Sequence, residues 1–171
     1  MEWSDIKDIS ISVAALTGMI LGVWNLFSDR RKQKVRLKVT PKAATHFTQM
    51  ADGSDVLKYS TQEFSLKGAP DMLAIEILNM SEFPVTISEI GLHAPKRKNR
   101  FAVPLPELVD DGEWPRRLES RENVLAFIDW STLLDAEGTN LIKCAYAKTD
   151  CGTFVKGNNK AMKSFIKQVC V

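Results

Sequence analysis

The longest apolar run of the chain lies near its N-terminus. Residues 9–27, ISISVAALTGMILGVWNLF, include no charged side chain. As an α-helix, this run reaches roughly 28 Å, close to the hydrocarbon thickness of a bilayer. Trp3 and Trp24 stand near its two ends, and aromatic rings favour the headgroup level of a membrane. The pattern predicts a single transmembrane helix over residues 9–28.

Three other interpretations of this run differ in how well they fit. A cleaved signal peptide begins with a basic region, whereas residues 1–8 (MEWSDIKD) hold one lysine against three acidic residues. An interfacial helix needs a strongly charged face, and the polar residues within the run are only serine, threonine and asparagine. A helix buried in a protein core is the alternative that stays open.

A dense basic segment, residues 29–38, follows the apolar run. Basic residues beside a membrane helix stay on the cytoplasmic side and contact anionic lipid. We therefore expect an N-out, C-in protein of a bacterial inner membrane, with residues 1–8 outside and the rest cytoplasmic. The residues expected to fix this orientation are Arg30, Arg31, Lys32, Lys34, Arg36 and Lys38.

The charge balance of the remaining chain is nearly neutral. Residues 39–171 contain 16 basic and 17 acidic residues, so the overall charge of +2 arises at the N-terminal segment. A local basic cluster of this kind gives no argument for nucleic-acid binding. The partners expected from the sequence are membrane lipid and a protein, with nucleic acid unlikely.

Small residues recur every four positions within the apolar run. Side chains four apart share one helix face, and small residues on one face let two membrane helices approach closely. The spacing predicts a helix–helix packing surface, and with it a homo-oligomer or pairing with another membrane protein. The alternative that stays open is an unpaired transmembrane helix, in which small residues such as glycine are also frequent. The residues of this stripe are Ser10, Ala14, Gly18 and Gly22.

Short segments with period-two alternation dominate the rest of the chain. A parity shift between Ile87 and Ile90 predicts a β-bulge, and Asp150-Cys151-Gly152 predicts a hairpin turn. Together the segments predict an antiparallel, immunoglobulin-like β-sandwich over residues 39–157. The predicted strands are Lys34–Thr40, Met72–Leu78, Val85–Leu92, Asn123–Asp129, Leu141–Lys148 and Thr153–Lys156.

Two further helices are predicted in the C-terminal half. A brief helix is expected over Ser131–Ala136, with Ser131 as its N-cap. Residues 158–171 have the periodicity of a short amphipathic helix, which either packs on the sandwich or lies on the inner membrane surface. Its apolar face comprises Ala161, Met162, Phe165, Ile166 and Val169.

A pattern formed by several of these segments suggests a family. Its pieces are Ala74–Asn79, Phe83–Ile87, Ile90–Leu92, Trp114–Leu118 and Thr149–Phe154. It resembles small bacterial and prophage-encoded proteins with one N-terminal transmembrane helix and an immunoglobulin-like β-sandwich. The resemblance covers roughly half of the chain. It implies the fold and the membrane attachment, and it implies no catalytic residue.

The sequence offers no set of residues with a catalytic or metal-binding spacing. His46 and His93 lack zinc-site spacing, and no phosphate-binding glycine loop is present. Asp110-Asp111-Gly112-Glu113 is interpreted as a solvated acidic turn. Cys151 and His93 make a nucleophile–base pair only if the fold brings them together. We expect no catalytic residue, no metal and no cofactor, and thus a protein that is not an enzyme.

The cysteine count indicates the redox compartment. Three cysteines without regular spacing do not form a disulfide framework and suit a reducing compartment. Cys144 and Cys151 are expected in adjacent arms of one hairpin without facing each other.

A second basic patch follows the strand that ends near Leu92. It is interpreted as a solvated loop, or as a contact for anionic lipid or an acidic partner. Nucleic-acid binders usually add a groove-entering helix or stacking aromatics, which the patch lacks. Its residues are Lys96, Arg97, Lys98 and Arg100.

The expected function combines these features. The chain is interpreted as a membrane-anchored interaction module that holds a protein partner at the membrane. The alternative is a self-associating membrane effector, in phage–host conflict or toxin-like, that acts through its helix.

Overall fold

The computed structural model describes residues 3–48, 57–62, 72–94, 99–129 and 142–169. The chain divides into two compact units, Met1–Lys34 and Val35–Val171. The first unit contains one helix, and the second is mainly β with two antiparallel sheets. The mainly-β prediction is confirmed.

Helix α1 forms the first unit and spans Trp3–Lys32. It extends beyond the predicted 9–28 at both ends, because the charged flanks continue the helix instead of ending it. The amide of Gln33 donates to the Asp29 carbonyl oxygen at 3.1 Å in the last turn. Every side chain from Val13 to Phe27 is exposed.

The prediction of a transmembrane span needs correction. Among the residues that the structure describes, no helix is both long and apolar enough to cross a membrane. The side chains of residues 9–12, at the start of the predicted span, lie outside the described residues.

The second unit consists of ten short strands in two sheets. All described pairs are antiparallel. Sheet A has the order β2-β1-β3-β8-β6, and sheet B has the order β10-β9-β4-β5 with β7 also paired to β4. The strands are β1 (Leu37–Thr48), β2 (Leu57–Gln62), β3 (Met72–Asn79), β4 (Val85–Ala94), β5 (Asn99–Val103), β6 (Glu107–Leu108), β7 (Arg116–Leu118), β8 (Asn123–Asp129), β9 (Cys144–Thr149) and β10 (Phe154–Gly157).

The strands with the strongest alternation agree with their predictions. β3, β4, β8 and the β9–β10 hairpin lie where the sequence placed them, and β4 has its bulge between Ile87 and Glu89. β1 begins later than predicted and continues well past Thr40. Strands β2, β5, β6 and β7 were not predicted. The predicted helix over Ser131–Ala136 lies outside the described residues.

One apolar core joins the two sheets. Alternate residues of β3 and β4 point into it, and the small Ala145 and Ala147 of β9 complete the sheet B side. Burying each large aliphatic side chain contributes about 1.5–3 kcal/mol, so this interface dominates the stability of the second unit. The fully buried residues from β3 and β4 are Leu73, Ile75, Ile77, Ile87, Ile90 and Leu92.

Helix α2 (Lys160–Val169) closes the chain and packs on the core. Met162 and Phe165 are buried there, which supports packing on the sandwich over the membrane-surface alternative. Asn159 caps the helix, since its Oδ1 accepts from the Met162 amide at 3.0 Å. Its Nδ2 donates to the Pro41 carbonyl oxygen at 2.6 Å, which ties the cap to β1. The side chain of Val169 lies outside the described residues.

Asn79 at the end of β3 holds together the turn that leads from sheet A to sheet B. Its side chain is fully buried, and its Oδ1 accepts from the Ser81 amide at 2.9 Å. Its Nδ2 donates to the carbonyl oxygens of Phe83 (2.9 Å), Leu118 (3.2 Å) and Glu119 (3.1 Å). One buried amide therefore satisfies backbone groups from two segments, the turn after β3 and the end of β7.

We expect Asn79→Ala to lower the free energy of unfolding by about 2–4 kcal/mol, because it leaves several buried backbone groups without partners. The measurement is urea unfolding of the full-length chain followed by circular dichroism. Asn123→Ala is the matched control, because its amide contacts Glu76 Oε1 at 3.2 Å on the exposed surface. Equal losses in the two variants would contradict the role given to Asn79.

Candidate functional site

The face of sheet B that points away from the core has an unusual composition. On β4 and β9 the inward positions are aliphatic, whereas the outward positions hold aromatic, charged and thiol side chains. Seven outward-pointing residues of sheet B, from β4, β5, β9 and β10, form what we call the aromatic–basic cluster. They are Glu89, His93, Arg100, Tyr146, Lys148, Phe154 and Lys156.

Three rings form the centre of the cluster. Tyr146 is fully buried and stacks on Phe154, with ring centroids 4.8 Å apart and an interplanar angle of 26°. His93 meets both rings edge-on, with centroid distances of 5.6 Å to Phe154 and 6.5 Å to Tyr146. Aromatic pairs in such geometry add about 0.5–1.5 kcal/mol beyond their buried area.

Gly91 lies directly opposite Tyr146 in the β4–β9 register. A Cβ atom at this position would clash with the Phe101 carbonyl oxygen. The phenol of Tyr146 reaches across to β4, where its hydroxyl donates to Glu89 Oε1. Burial, and then this hydrogen bond and the charge of Glu89, raise the pKa of Tyr146 well above its usual value.

Three basic side chains surround the rings. Arg100 Cζ lies 6.0 Å and Lys156 Nζ 5.7 Å from the Phe154 ring centroid, within the range of cation–π attraction. Glu89 contacts Arg100 Nη1 at 3.8 Å and Lys148 Nζ at 3.7 Å. The cluster thus contains three cations and one carboxylate, which contacts two of them, so it has an excess of positive charge.

His93 is the buried polar member of the cluster. The residue is only 9% exposed, and its Nδ1 atom has no hydrogen-bond partner in the part of the chain that the structure describes. Burial lowers the pKa of His93, and the positive charges of Lys156 and Arg100 lower it further. The imidazole is therefore neutral at neutral pH, and adding a proton to it places a third charge beside two existing ones.

The predicted basic loop is only partly a loop. Arg100 lies in β5, opposite His93, and belongs to the aromatic–basic cluster. The expectation of a purely solvated loop is wrong for this residue, because its guanidinium contacts Glu89 and Phe154. The other three residues, Lys96, Arg97 and Lys98, lie outside the described residues.

The residues of the predicted helix–helix stripe remain exposed on α1. Ala14, Gly18 and Gly22 are exposed, and no atom lies within 4 Å of a Cβ built at either glycine. The side chain of Ser10 lies outside the described residues. In the basic segment, the exposed side chains are those of Arg30, Lys32, Lys34, Arg36 and Lys38, and the side chain of Arg31 lies outside the described residues.

Cys144 and Cys151 are both free thiols. Cys144 pairs with His93 across β4 and β9, whereas Cys151 lies in the turn beyond the far end of β9. That strand separates Cys151 from His93 by roughly 20 Å, so the fold does not bring this nucleophile–base pair together. Hydrogen bonds with Thr149 and Thr153 lower the pKa of Cys151, and burial raises the pKa of Cys144. Cys170 lies outside the described residues.

The acidic turn is tied to a neighbouring strand rather than solvated alone. Asp110 Oδ2 accepts from Arg116 Nη2 at 2.6 Å, and Glu122 Oε1 lies 3.5 Å from the same nitrogen. Within the described ranges, no three histidine, cysteine or acidic side chains come together as metal ligands.

Sequence reasoning missed most of the aromatic–basic cluster. It assigned no role to Tyr146, Phe154 or Glu89, because it assumed that large apolar side chains point inward. The missed signal is the segment CAYAK (residues 144–148). In a strand its tyrosine points to one face, and the two alanines on either side of it point to the other. Small residues at inward positions indicate that the bulk of the strand lies on its other face.

Comparison of the chain with protein-family models, with curated proteins and with solved structures finds no match.

The lowered pKa of His93 makes stability depend on pH. The unfolded chain binds a proton near the ordinary histidine pKa of about 6.5, and the folded protein binds it only at lower pH, because burial and the nearby cations lower the pKa of His93. Stability from the neutral imidazole is therefore complete above that value and lost as pH falls through the folded pKa. We expect unfolding experiments between pH 5 and 7 to show this loss in the wild type and in His46→Gln, but not in His93→Gln. The same slope in all three proteins would assign it to other groups.

Proposed function

We propose that the chain is a membrane-attached interaction module. Helix α1 holds it at a bacterial inner membrane, and the β-rich unit presents the aromatic–basic cluster to a protein partner on the cytoplasmic side. The observation that carries the proposal is the exposed apolar surface of α1. Its members are Val13, Leu16, Met19, Ile20, Leu21, Val23, Trp24, Leu26 and Phe27, each between 49% and 73% exposed.

The apolar side chains of α1 favour a lipid environment. Soluble monomers rarely leave a contiguous apolar patch of this size to water. Moving nine large side chains from water into an apolar medium gains on the order of 10 kcal/mol. The basic segment that follows adds attraction to the anionic cytoplasmic leaflet.

The strand order supports an immunoglobulin-like assignment for the second unit. In such domains, strands A, B, E and D form one sheet and G, F, C and C′ form the other. The order β1-β3-β8-β6 in sheet A and β10-β9-β4-β5 in sheet B has the same sequence of connections. β2, which pairs with β1, is an addition to that plan. A fold does not define a function, so the proposal rests on the two surfaces.

We expect the double variant Ile20→Glu with Val23→Glu to leave the membrane fraction, because each carboxylate in a helix centre costs about 2.5–3.5 kcal/mol in lipid. The measurement is the share of full-length chain in the membrane pellet after a high-salt wash. Leu105→Glu with Val109→Glu is the matched control, since both residues are exposed on the second unit at 82% and 52%. A wild-type chain that stays in the supernatant would overturn membrane attachment.

Self-association of α1 is the alternative function. The double variant Gly18→Leu with Gly22→Leu distinguishes membrane attachment from self-association. It blocks the close approach of two helices but keeps the surface of α1 apolar. Attachment alone predicts that this variant still pellets and holds its partner. A self-associating effector predicts loss of the oligomer and of any membrane depolarisation on overexpression, with Ala15→Leu and Met19→Leu as controls on the neighbouring face.

A further inference from the structure

The cations of the aromatic–basic cluster outnumber the carboxylates that face them. Glu89 is the acidic residue that contacts Arg100 and Lys148. In the part of the chain that the structure describes, Lys156 has no carboxylate oxygen within the 4.0 Å that defines an ion pair. Lys156 is exposed, and the side chain of Arg100 is 46% exposed. Both cations are therefore accessible from solvent.

We propose that the aromatic–basic cluster binds an acidic segment of the partner protein, with its carboxylates seated between Arg100 and Lys156. The inference rests on the proposed function only in taking the partner to be a protein. Arginine presents planar donors that fit a carboxylate, and lysine adds a point charge beside it. The surface and the segment are then complementary in charge.

The geometry favours a short acidic segment over a nucleic acid. Both cations lie within 6.0 Å of the same ring centroid, so they span one or two carboxylates rather than a run of phosphates. Binding of single strands also uses aromatic rings that are free to stack on bases. Tyr146 is fully buried and already stacked on Phe154, so the largest ring of the cluster is occupied within the protein.

His93 provides an independent reporter of the site. Its Nδ1 is buried and has no hydrogen-bond partner among the described residues, and leaving such a polar group unsatisfied is unfavourable. A carboxylate bound beside it offsets the positive charges of Arg100 and Lys156. The groups beside His93 are Arg100 on β5, Cys144 and Tyr146 on β9, and Phe154 and Lys156 on β10.

The test measures binding of a fluorescent hexaglutamate peptide to the full-length chain in neutral detergent micelles, by anisotropy at low salt. We expect Arg100→Gln and Lys156→Gln each to weaken binding about threefold to fivefold. Lys163→Gln is the matched control, because Lys163 is an exposed lysine on α2 outside the cluster. A hexaglutamine peptide should not bind.

Histidine-selective NMR gives the second readout, because the chain has two histidines. Peptide binding should raise the pKa of His93 and leave that of His46 unchanged, and a surface that attracts acidic peptide nonspecifically would shift neither. Equal weakening by Lys163→Gln would overturn the proposal. If the chain binds an oligothymidine more tightly than hexaglutamate, the proposal is overturned in favour of nucleic acid. If the Ile20→Glu, Val23→Glu variant binds phosphatidylglycerol vesicles more tightly than hexaglutamate, it is overturned in favour of lipid.

The peptide test and the membrane test fail separately. If the chain pellets with membranes but does not bind hexaglutamate, the acidic-segment proposal is overturned and membrane attachment still holds. A chain that binds the peptide through Arg100 and Lys156 but remains in the supernatant supports the acidic-segment proposal and overturns attachment.

Discussion

The stacking of Tyr146 on Phe154 organises the outer face of sheet B. Tyr146 lies opposite Gly91, where a Cβ atom would clash with the Phe101 backbone, and its hydroxyl donates to Glu89 Oε1. With Tyr146 in place, Phe154 has a ring to stack on, and Arg100 and Lys156 have an aromatic face to contact. Arg100 and Lys156 therefore contact the same aromatic ring.

The core of the second unit fixes the strands that present these residues. β4 and β9 alternate between aliphatic side chains that enter the core and cluster residues that point away from it. Asn79 joins the turn before β4 to the segment after β7, so the register of β4 is held at its start as well as along its length. Preorganised cations of this kind bind a ligand with a smaller loss of side-chain entropy.

Part of this fold could be read from the sequence, because period-two alternation is visible wherever one face is apolar. β3, β4 and β8 show it clearly, and even the bulge near Ser88 appears as a change of parity. β6 and β7 have only two and three residues, too short for a periodic signal. β5 was not predicted, because the basic residues before Phe101 suggested a solvated loop.

The cluster itself could not be read in the same way. Arg100 was identified from its charge, but its neighbours Tyr146, Phe154 and Lys156 come from strands more than forty residues later. Only the antiparallel pairing of β4 with β9 brings them together. For α1 the sequence correctly indicated a helix and an apolar surface.

The central claim is that the outer face of sheet B is the surface through which a membrane-held chain contacts an acidic partner. Photo-crosslinking in intact membranes tests it most directly, with benzoylphenylalanine introduced at Ala102, an exposed position beside Gly91 on that face. The account predicts a discrete adduct from this position that Arg100→Gln and Lys156→Gln diminish, and none from the exposed Lys38 of sheet A. An equal adduct from Lys38, or one indifferent to the two cations, would contradict it.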